Sequence, residues 1–167
     1  MSRFRSDCSQ CCGLCCVVPA FFSFQGFGAD KPAQTPCSHL DSHGLCGIHR
    51  LRTEKGYTAC AGYDCYGAGQ WVTQVLFRGA NWRDEPALAE AMFRAFTACL
   101  PLFELAAMLD AAIPLASLSS RPGLCAKRDE LLELYASDSI QQRPADIGRL
   151  RREVQLLLQE FRTRDTA

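Results

Sequence analysis

Residues 8–16 read CSQCCGLCC, five cysteines in nine positions, and the first half of the chain is organised around them. The spacing Cys8-x-x-Cys11-x-x-x-Cys15-Cys16 brings several thiols close together before any tertiary folding. Thiolates are the soft ligands that zinc and iron centres take, so metal binding is the first chemistry the stretch implies.

Outward from this nonapeptide the pattern continues. Cys37, Cys46, Cys60 and Cys65 follow, separated by 8, 13 and 4 residues, and only Cys99 and Cys125 lie beyond them. A closed structural zinc site takes four thiolates, or three and a histidine, so eight cysteines suggest two sites. Cys8 and Cys11 reach one ion from a single tight turn. Cys15 and Cys16 are adjacent, and in an extended backbone their side chains point in opposite directions, so they serve two ions more easily than they chelate one. The expected ligands are therefore Cys8, Cys11, Cys15, Cys16, Cys37, Cys46, Cys60 and Cys65, in two neighbouring sites or a dinuclear cluster with a bridging thiolate. Sequence leaves their partition open.

Cys12 is a further ligand, a redox-active thiol or, the leading reading, a small buried residue, and Cys99 and Cys125 read as packing residues within helical patterns. His39 and His43 are spaced H-x-x-x-H, and His49 follows Cys46 by three. A zinc finger places its histidine pair roughly 12 residues after C-x-x-C, whereas 27 residues separate Cys11 from His39. The histidines thus fit outer hydrogen-bonding or surface positions better than ligand positions.

The rest of the composition is that of an ordinary globular protein: 167 residues, 48% hydrophobic and 22% charged. Eighteen basic residues balance eighteen acidic ones, which removes the simplest electrostatic case for nucleic acid or an anionic membrane. Two Zn(II) ions on eight thiolates would lower the net charge to about −4, making nucleic acid still less suitable as a partner. No run of about 20 wholly apolar residues is present, so no membrane span is expected. The N-terminus lacks a secretory pattern, and a cytoplasmic location is expected. Reducing conditions there favour metal or redox cysteines over disulfides, and the odd count and adjacent pairs suit a disulfide framework badly.

Two regions are expected, a cysteine-rich metal-binding module over 1–69 and a helical domain over 70–167, or one continuous fold. The fold class is mainly α, a loop-rich module packed on a C-terminal bundle of three to five helices. Within the module, Phe22 and Phe24 alternate as a short strand would, and Phe21, Phe22, Phe24 and Phe27 are expected to be buried over the metal site. An aromatic pocket for a small ligand is the sharper alternative. Leu51 to Gly56 predicts a short helical turn, and the other residues of 37–65 are expected to be turns.

Gln70 to Phe77 predicts a short helix. A second opens near Asp84 with Pro86 in its first turn and carries Leu88, Met92, Phe96, Cys99, Phe103, Ala106, Leu109 and Ile113 on one face. Pro101 inside this run predicts a kink or break. Arg121-Pro-Gly marks a loop before a helix over Cys125 to Ala136, Gln141 to Pro144 is a connector, and Asp146 caps a final helix. That helix has Ile147, Leu150, Val154, Leu157, Leu158 and Phe161 on its apolar face. Its charged residues, among them Arg149 and Glu160, read as solvated surface before a partner-binding face.

The run from Cys8 to Cys16, with Cys37, Cys46, Cys60 and Cys65 after it, resembles the CxxCxxxCC signature of a zinc- or iron-chelating domain family. The stretches CCGLCC, GADKPAQTPCSHL, CGIHRLR and YDCYGAGQ, with Trp82-Arg83 and Met92 to Phe96 beyond them, are similar to a cysteine-rich segment that precedes pentapeptide repeats in some bacterial proteins. No such repeat follows in this sequence. The resemblance implies metal chelation and no settled reaction.

The leading expectation is a metal-binding module, with two Zn(II) ions organising the N-terminal half and the helical half presented to a protein partner. The alternatives are an iron or zinc enzyme acting on a small molecule in a bacterial biosynthetic pathway, with Asp41, Asp64, Tyr63 or a histidine as proton carrier, and an iron-sulfur protein. Nothing resembles a P-loop, a dinucleotide fingerprint or a nucleophile elbow.

Overall fold

Apolar residues recurring every three or four positions wind the second half of the chain into helices, and a short-range network of turns replaces them in the first half. The computed structural model describes residues 4–136 and 146–165. Among these the fold is mainly α: two isolated bridges, Phe21 with Lys31 and Leu40 with Cys46, are the extent of β pairing. The α-helices are α1 (Leu14–Val17), α2 (Thr58–Gly62), α3 (Ala68–Trp71), α4 (Ala89–Ala112), α5 (Arg121–Ala136) and α6 (Ile147–Asp165). The chain divides into two compact units, Ser6–Thr97 and the described residues of Met1–Arg5 with Ala98–Ala167. Residues 70–97 therefore cluster with the cysteines.

The long helix forms as its sequence predicts. Pro86 sits in the opening turn, where a missing amide donor costs nothing. Met92, Phe96, Cys99, Phe103, Ala106 and Leu109 are all buried. Pro101 lies inside α4, which continues through it as one helix. In the unit that contains Ala98 onward, Phe4 meets Phe103 edge-on and Phe103 stacks on Tyr135 at 4.4 Å. Lys127 of α5 bonds Glu153 of α6. Asp146 caps α6 as expected, its carboxylate accepting from the Arg149 amide at 2.9 Å. Leu150 and Val154 on its apolar face are buried, and Arg149, Arg151, Arg152 and Glu160 are exposed.

Several local expectations are corrected. α5 starts at Arg121, so Arg121-Pro-Gly is its first turn and not a loop; proline is harmless there because the first amides of a helix have no internal acceptor. The predicted helix over 70–77 is a short α turn running into a π turn, Val72–Leu76, and Val75 is 49% exposed. Leu51 to Gly56 does form a helical turn, the Lys55 amide donating to the Leu51 carbonyl at 2.9 Å and Gly56 ending it at φ 80°, but the region expected to hold only turns besides it also contains α2, which carries Cys60. No strand forms at Phe22 and Phe24. Ser23–Gln25 is a single 3₁₀ turn, and these two rings are 43% and 82% exposed, while Phe21 is buried and stacks on Phe27 at 4.3 Å. The connector Gln141 to Pro144 lies outside the described residues.

The expectation that no segment could span a membrane is also amended. Pro86–Leu115 is long and apolar enough by length and composition, with a mean hydropathy of 1.6 over its best window. A core helix passes the same test; 39% of this window is buried, along a face that includes Met92, Phe96, Cys99 and Leu109.

Candidate metal centre

The cysteine segments are held in place by backbone bonds. Cys8 opens a 3₁₀ turn whose carbonyl accepts from the Cys11 amide at 3.3 Å, and Asp7 caps it through the Ser9 amide. Gly13, at φ 76°, then turns the chain into α1. A Cβ there would lie 2.6 Å from Leu40 Cδ1 and 3.0 Å from the Gly44 carbonyl, so this position needs glycine both for its left-handed backbone and for the close approach of 40–44. Cys15 and Cys16 stand in α1, not in extended chain as the sequence argument assumed. Successive helical positions still diverge by about 100°, and the two sulfurs are 3.9 Å apart.

From α1 the chain returns to the same place twice. The Cys37 amide donates to the Cys16 carbonyl at 2.9 Å, and Leu40 bridges to Cys46. Arg52 then ties Cys46's turn to α2, donating to the His49 carbonyl at 2.9 Å and to the Cys60 carbonyl at 2.7 Å. Cys65 precedes α3, and its sulfur lies 3.1 Å from Ser6 Oγ, which also donates to Asp64. At Gly69 in α3 a Cβ would sit 2.7 Å from Cys11 Sγ and 3.8 Å from Cys65 Sγ, so the helix backbone there is the floor on which two thiols meet.

The result is a cavity of about 810 Å³ whose wall includes Cys8, Cys11, Cys15, Cys16, Cys37, Cys46, Cys60 and Cys65. These are all eight residues that the spacing singled out. Phe21, Phe27 and Tyr57 add aromatic surface, and His39 and His49 also line it. Cys12 is buried outside this wall, with its sulfur 3.4 Å from Thr73 Oγ1 and its carbonyl accepting from Trp82 Nε1 at 2.9 Å. Cys99 is fully buried in α4, and Cys125 lies partly buried in α5. His43 is exposed away from the cavity.

Burial pushes Cys11 and Cys60 up to about 11, and raises Cys8 and Cys46 as well. The contact between Cys15 and Cys16 splits that pair: Cys15 is raised, while Cys16 is lowered by the same contact and by Lys31, Arg52 and Arg83. Lys31 is itself buried. Its ammonium donates to the carbonyls of Val17 at 3.2 Å, Pro19 and Pro32, and lies 4.5 Å from the Phe21 ring centre.

Of the candidate proton carriers, Tyr63, His39 and His49 line the cavity, and the two aspartates are engaged. Asp64 accepts from Ser6 and from the Tyr66 amide, and Asp41 accepts from the amides of His43 and Leu45. Among the described residues, no three His, Cys, Asp or Glu side chains are drawn tightly enough together to grip an ion as they stand. The donor set nevertheless fits a soft metal, because eight thiols face one cavity, while the two carboxylates that share its wall, Asp7 and Asp64, accept from the Ser9 and Tyr66 amides.

Fold and site together define a mainly α, cysteine-rich protein with a thiol-lined cavity. UPF0153 protein PA1578.1 of Pseudomonas aeruginosa is 45% identical over 77 residues, which cover 46% of this chain and 92% of that protein. The chain belongs to the UPF0153 family. Uncharacterized protein YybG of Bacillus subtilis is 41% identical over 100 residues, covering 60% of this chain and 36% of its own length, so the chain spans about a third of that relative. No family model and no solved structure matches the chain.

Proposed function

We propose that this protein binds metal through Cys8, Cys11, Cys15, Cys16, Cys37, Cys46, Cys60 and Cys65, and that the metal is zinc, two ions, organising the N-terminal half of a binding or accessory module. The observation that carries this reading is the return of four distant cysteines to the same cavity wall as CSQCCGLCC. A core of turns with few buried apolar side chains gains most from metal ligation, since binding free energy then becomes folding free energy. The raised thiol pKa values make ligation a proton-releasing step, so affinity should rise with pH. Closing each site requires the thiols to turn inward from where they stand around the cavity. The CxxCxxxCC resemblance supports the same chemistry.

An iron-sulfur protein is the second reading, favoured by the size of the cavity and its cysteine-only ligand set. Engagement of Asp41, Asp64 and Arg52 in backbone contacts weighs against a hydrolytic or proton-transfer enzyme. A cytoplasmic setting and a protein partner for the helical half complete the proposal. Elemental analysis of protein purified without added metal tests it: two zinc per chain is the expected result. A brown protein containing iron and inorganic sulfide would replace zinc with a cluster, and a metal-free folded chain would overturn metal binding altogether.

A further inference from the structure

Helix α1 carries Cys15 and Cys16 and is four residues long, so its last carbonyls find no donor within it. The chain that returns over residues 31–37 supplies those donors. The Cys16 carbonyl accepts from the Cys37 amide at 2.9 Å, and the Val18 carbonyl from the Gln34 amide at 3.1 Å. The two carbonyls that alternate with these, Val17 and Pro19, both accept from the Lys31 ammonium. Four consecutive carbonyls at the end of α1 are thus met by one segment, two of them by a single side chain.

Lys31 is itself held firmly in this place. Its backbone pairs with Phe21 in both directions, the Phe21 amide donating to the Lys31 carbonyl at 2.8 Å and the Lys31 amide to the Phe21 carbonyl at 3.0 Å. Its Nζ makes a third bond, to the Pro32 carbonyl at 3.0 Å, and lies 4.5 Å from the centre of the Phe21 ring, leaving the residue 7% exposed. An ammonium has three donors and no acceptor; here each donor has a carbonyl, and a ring face covers the remaining side. A neutral amine has two donors and would leave one carbonyl bare. The neighbouring Asp30 carboxylate accepts from the Ser23 amide instead of pairing with it. Phe21 in turn stacks on Phe27, and both rings line the thiol cavity.

Three carbonyl oxygens and a ring face form a cage suited to a monovalent cation, and a cation at the C-terminal end of a helix sits where the peptide dipoles favour it. Resting on metal binding by the cysteines of the cavity, we infer that Lys31 is a positioning residue of the metal centre: its ammonium is a tethered cation that caps α1 and fixes where Cys15 and Cys16 stand. The cage without its tether takes free ammonium ion.

The unaltered chain gives the first test. It has three lysines, Lys31, Lys55 and Lys127. Reductive methylation of the zinc-loaded full chain should label the exposed Lys55 and spare Lys31, and removing the metal should open Lys31 to the reagent. Labelling of Lys31 as fast as Lys55 with zinc bound, or protection unchanged by metal removal, would overturn the inference without any variant having to fold. Lys31→Ala then empties the cage. Zinc affinity measured against a competing chelator should fall about 10–100-fold, the usual cost of losing a group that orients ligands from behind. Ammonium chloride should recover most of that affinity, whereas tetramethylammonium chloride at equal concentration, with no N–H to donate, should not. Lys31→Met fills the cage with an apolar chain and should show the loss without the recovery. Wild-type affinity in both variants, or an equal response to the two salts, would overturn the role of Lys31 and leave metal binding intact. A wild-type chain that takes up no zinc would remove the centre itself, and with it anything for Lys31 to position.

Discussion

Residues 6–97 and the helices from Ala98 onward reach order by different means. The helical region buries Leu102, Leu105, Leu109, Leu124, Leu131 and Leu150 to within 2% of full burial, a core of aliphatic side chains spaced for helices. Before α3, the cysteine region buries few side chains of that size, chiefly Leu14, Val17, Phe21 and Tyr57, and its order resides in local backbone bonds and left-handed turns at Gly13, Gly26, Gly44 and Gly56. A core holds itself together through many interchangeable contacts. A turn network has little to offset the entropy of ordering it, so it leans on whatever its thiols hold.

Metal removal should therefore produce the largest effect and separate the regions most sharply. A strong chelator added to the full chain is expected to abolish hydrogen-exchange protection in peptides from 8–65 while those from 102–113 keep theirs. Structural zinc supplies about 10–16 kcal/mol of apparent binding free energy, more than such a turn network can replace. Uniform loss across the chain would erase the distinction, and unchanged protection near Cys16 and Cys37 would show that the turns stand unaided.

The converse perturbation is Leu109→Ala. This side chain is fully buried in α4, and truncating it should cost about 2–5 kcal/mol, read from the shift of a denaturation midpoint. Zinc content at temperatures below the transition should stay at the wild-type level. Loss of metal along with the helical core would mean that the two regions fold as one unit.

This difference also governs how much could be read from sequence. Six positions on the buried face of α4, Met92, Phe96, Cys99, Phe103, Ala106 and Leu109, were legible because a period of 3.6 positions is set by the helix itself, whereas Leu88 and Ile113 fall just outside it and are partly buried, and Phe93, Leu102 and Leu105 widen the face beyond the predicted stripe. The cap at Asp146 was legible for the same reason. The eight thiols stand out in the sequence by their number and spacing, and all eight line one cavity; ligation by them is proposed. The way the chain folds back to bring them together was not legible, since it depends on bonds between residues far apart in sequence, such as Cys16 with Cys37 and Ser6 with Cys65. Lys31 left no signal at all: a single lysine between Asp30 and Pro32 reads as a surface charge, and only the fold surrounds it with three carbonyls. Phe22 and Phe24 misled through alternation, which a strand and an exposed turn can share over so short a span.

The finest distinction is in pH dependence. Burial raises the Glu104 carboxyl above its ordinary value, with Arg151 partly opposing the shift. Because the folded form binds its proton more tightly than the unfolded chain does, Glu104 contributes stability below its unfolded pKa, and that contribution is lost as pH rises through the folded pKa. Glu104→Gln removes the titration and keeps the shape. The variant should match the wild type in mildly acidic solution and gain a small advantage at neutral pH, seen as a higher melting temperature of the helical region. The cysteine region should run the other way, gaining metal as pH rises and its thiols lose protons. Parallel melting curves for variant and wild type from acid to neutral pH would remove Glu104 from this contrast, leaving thiol ionisation as the source of the chain's pH response.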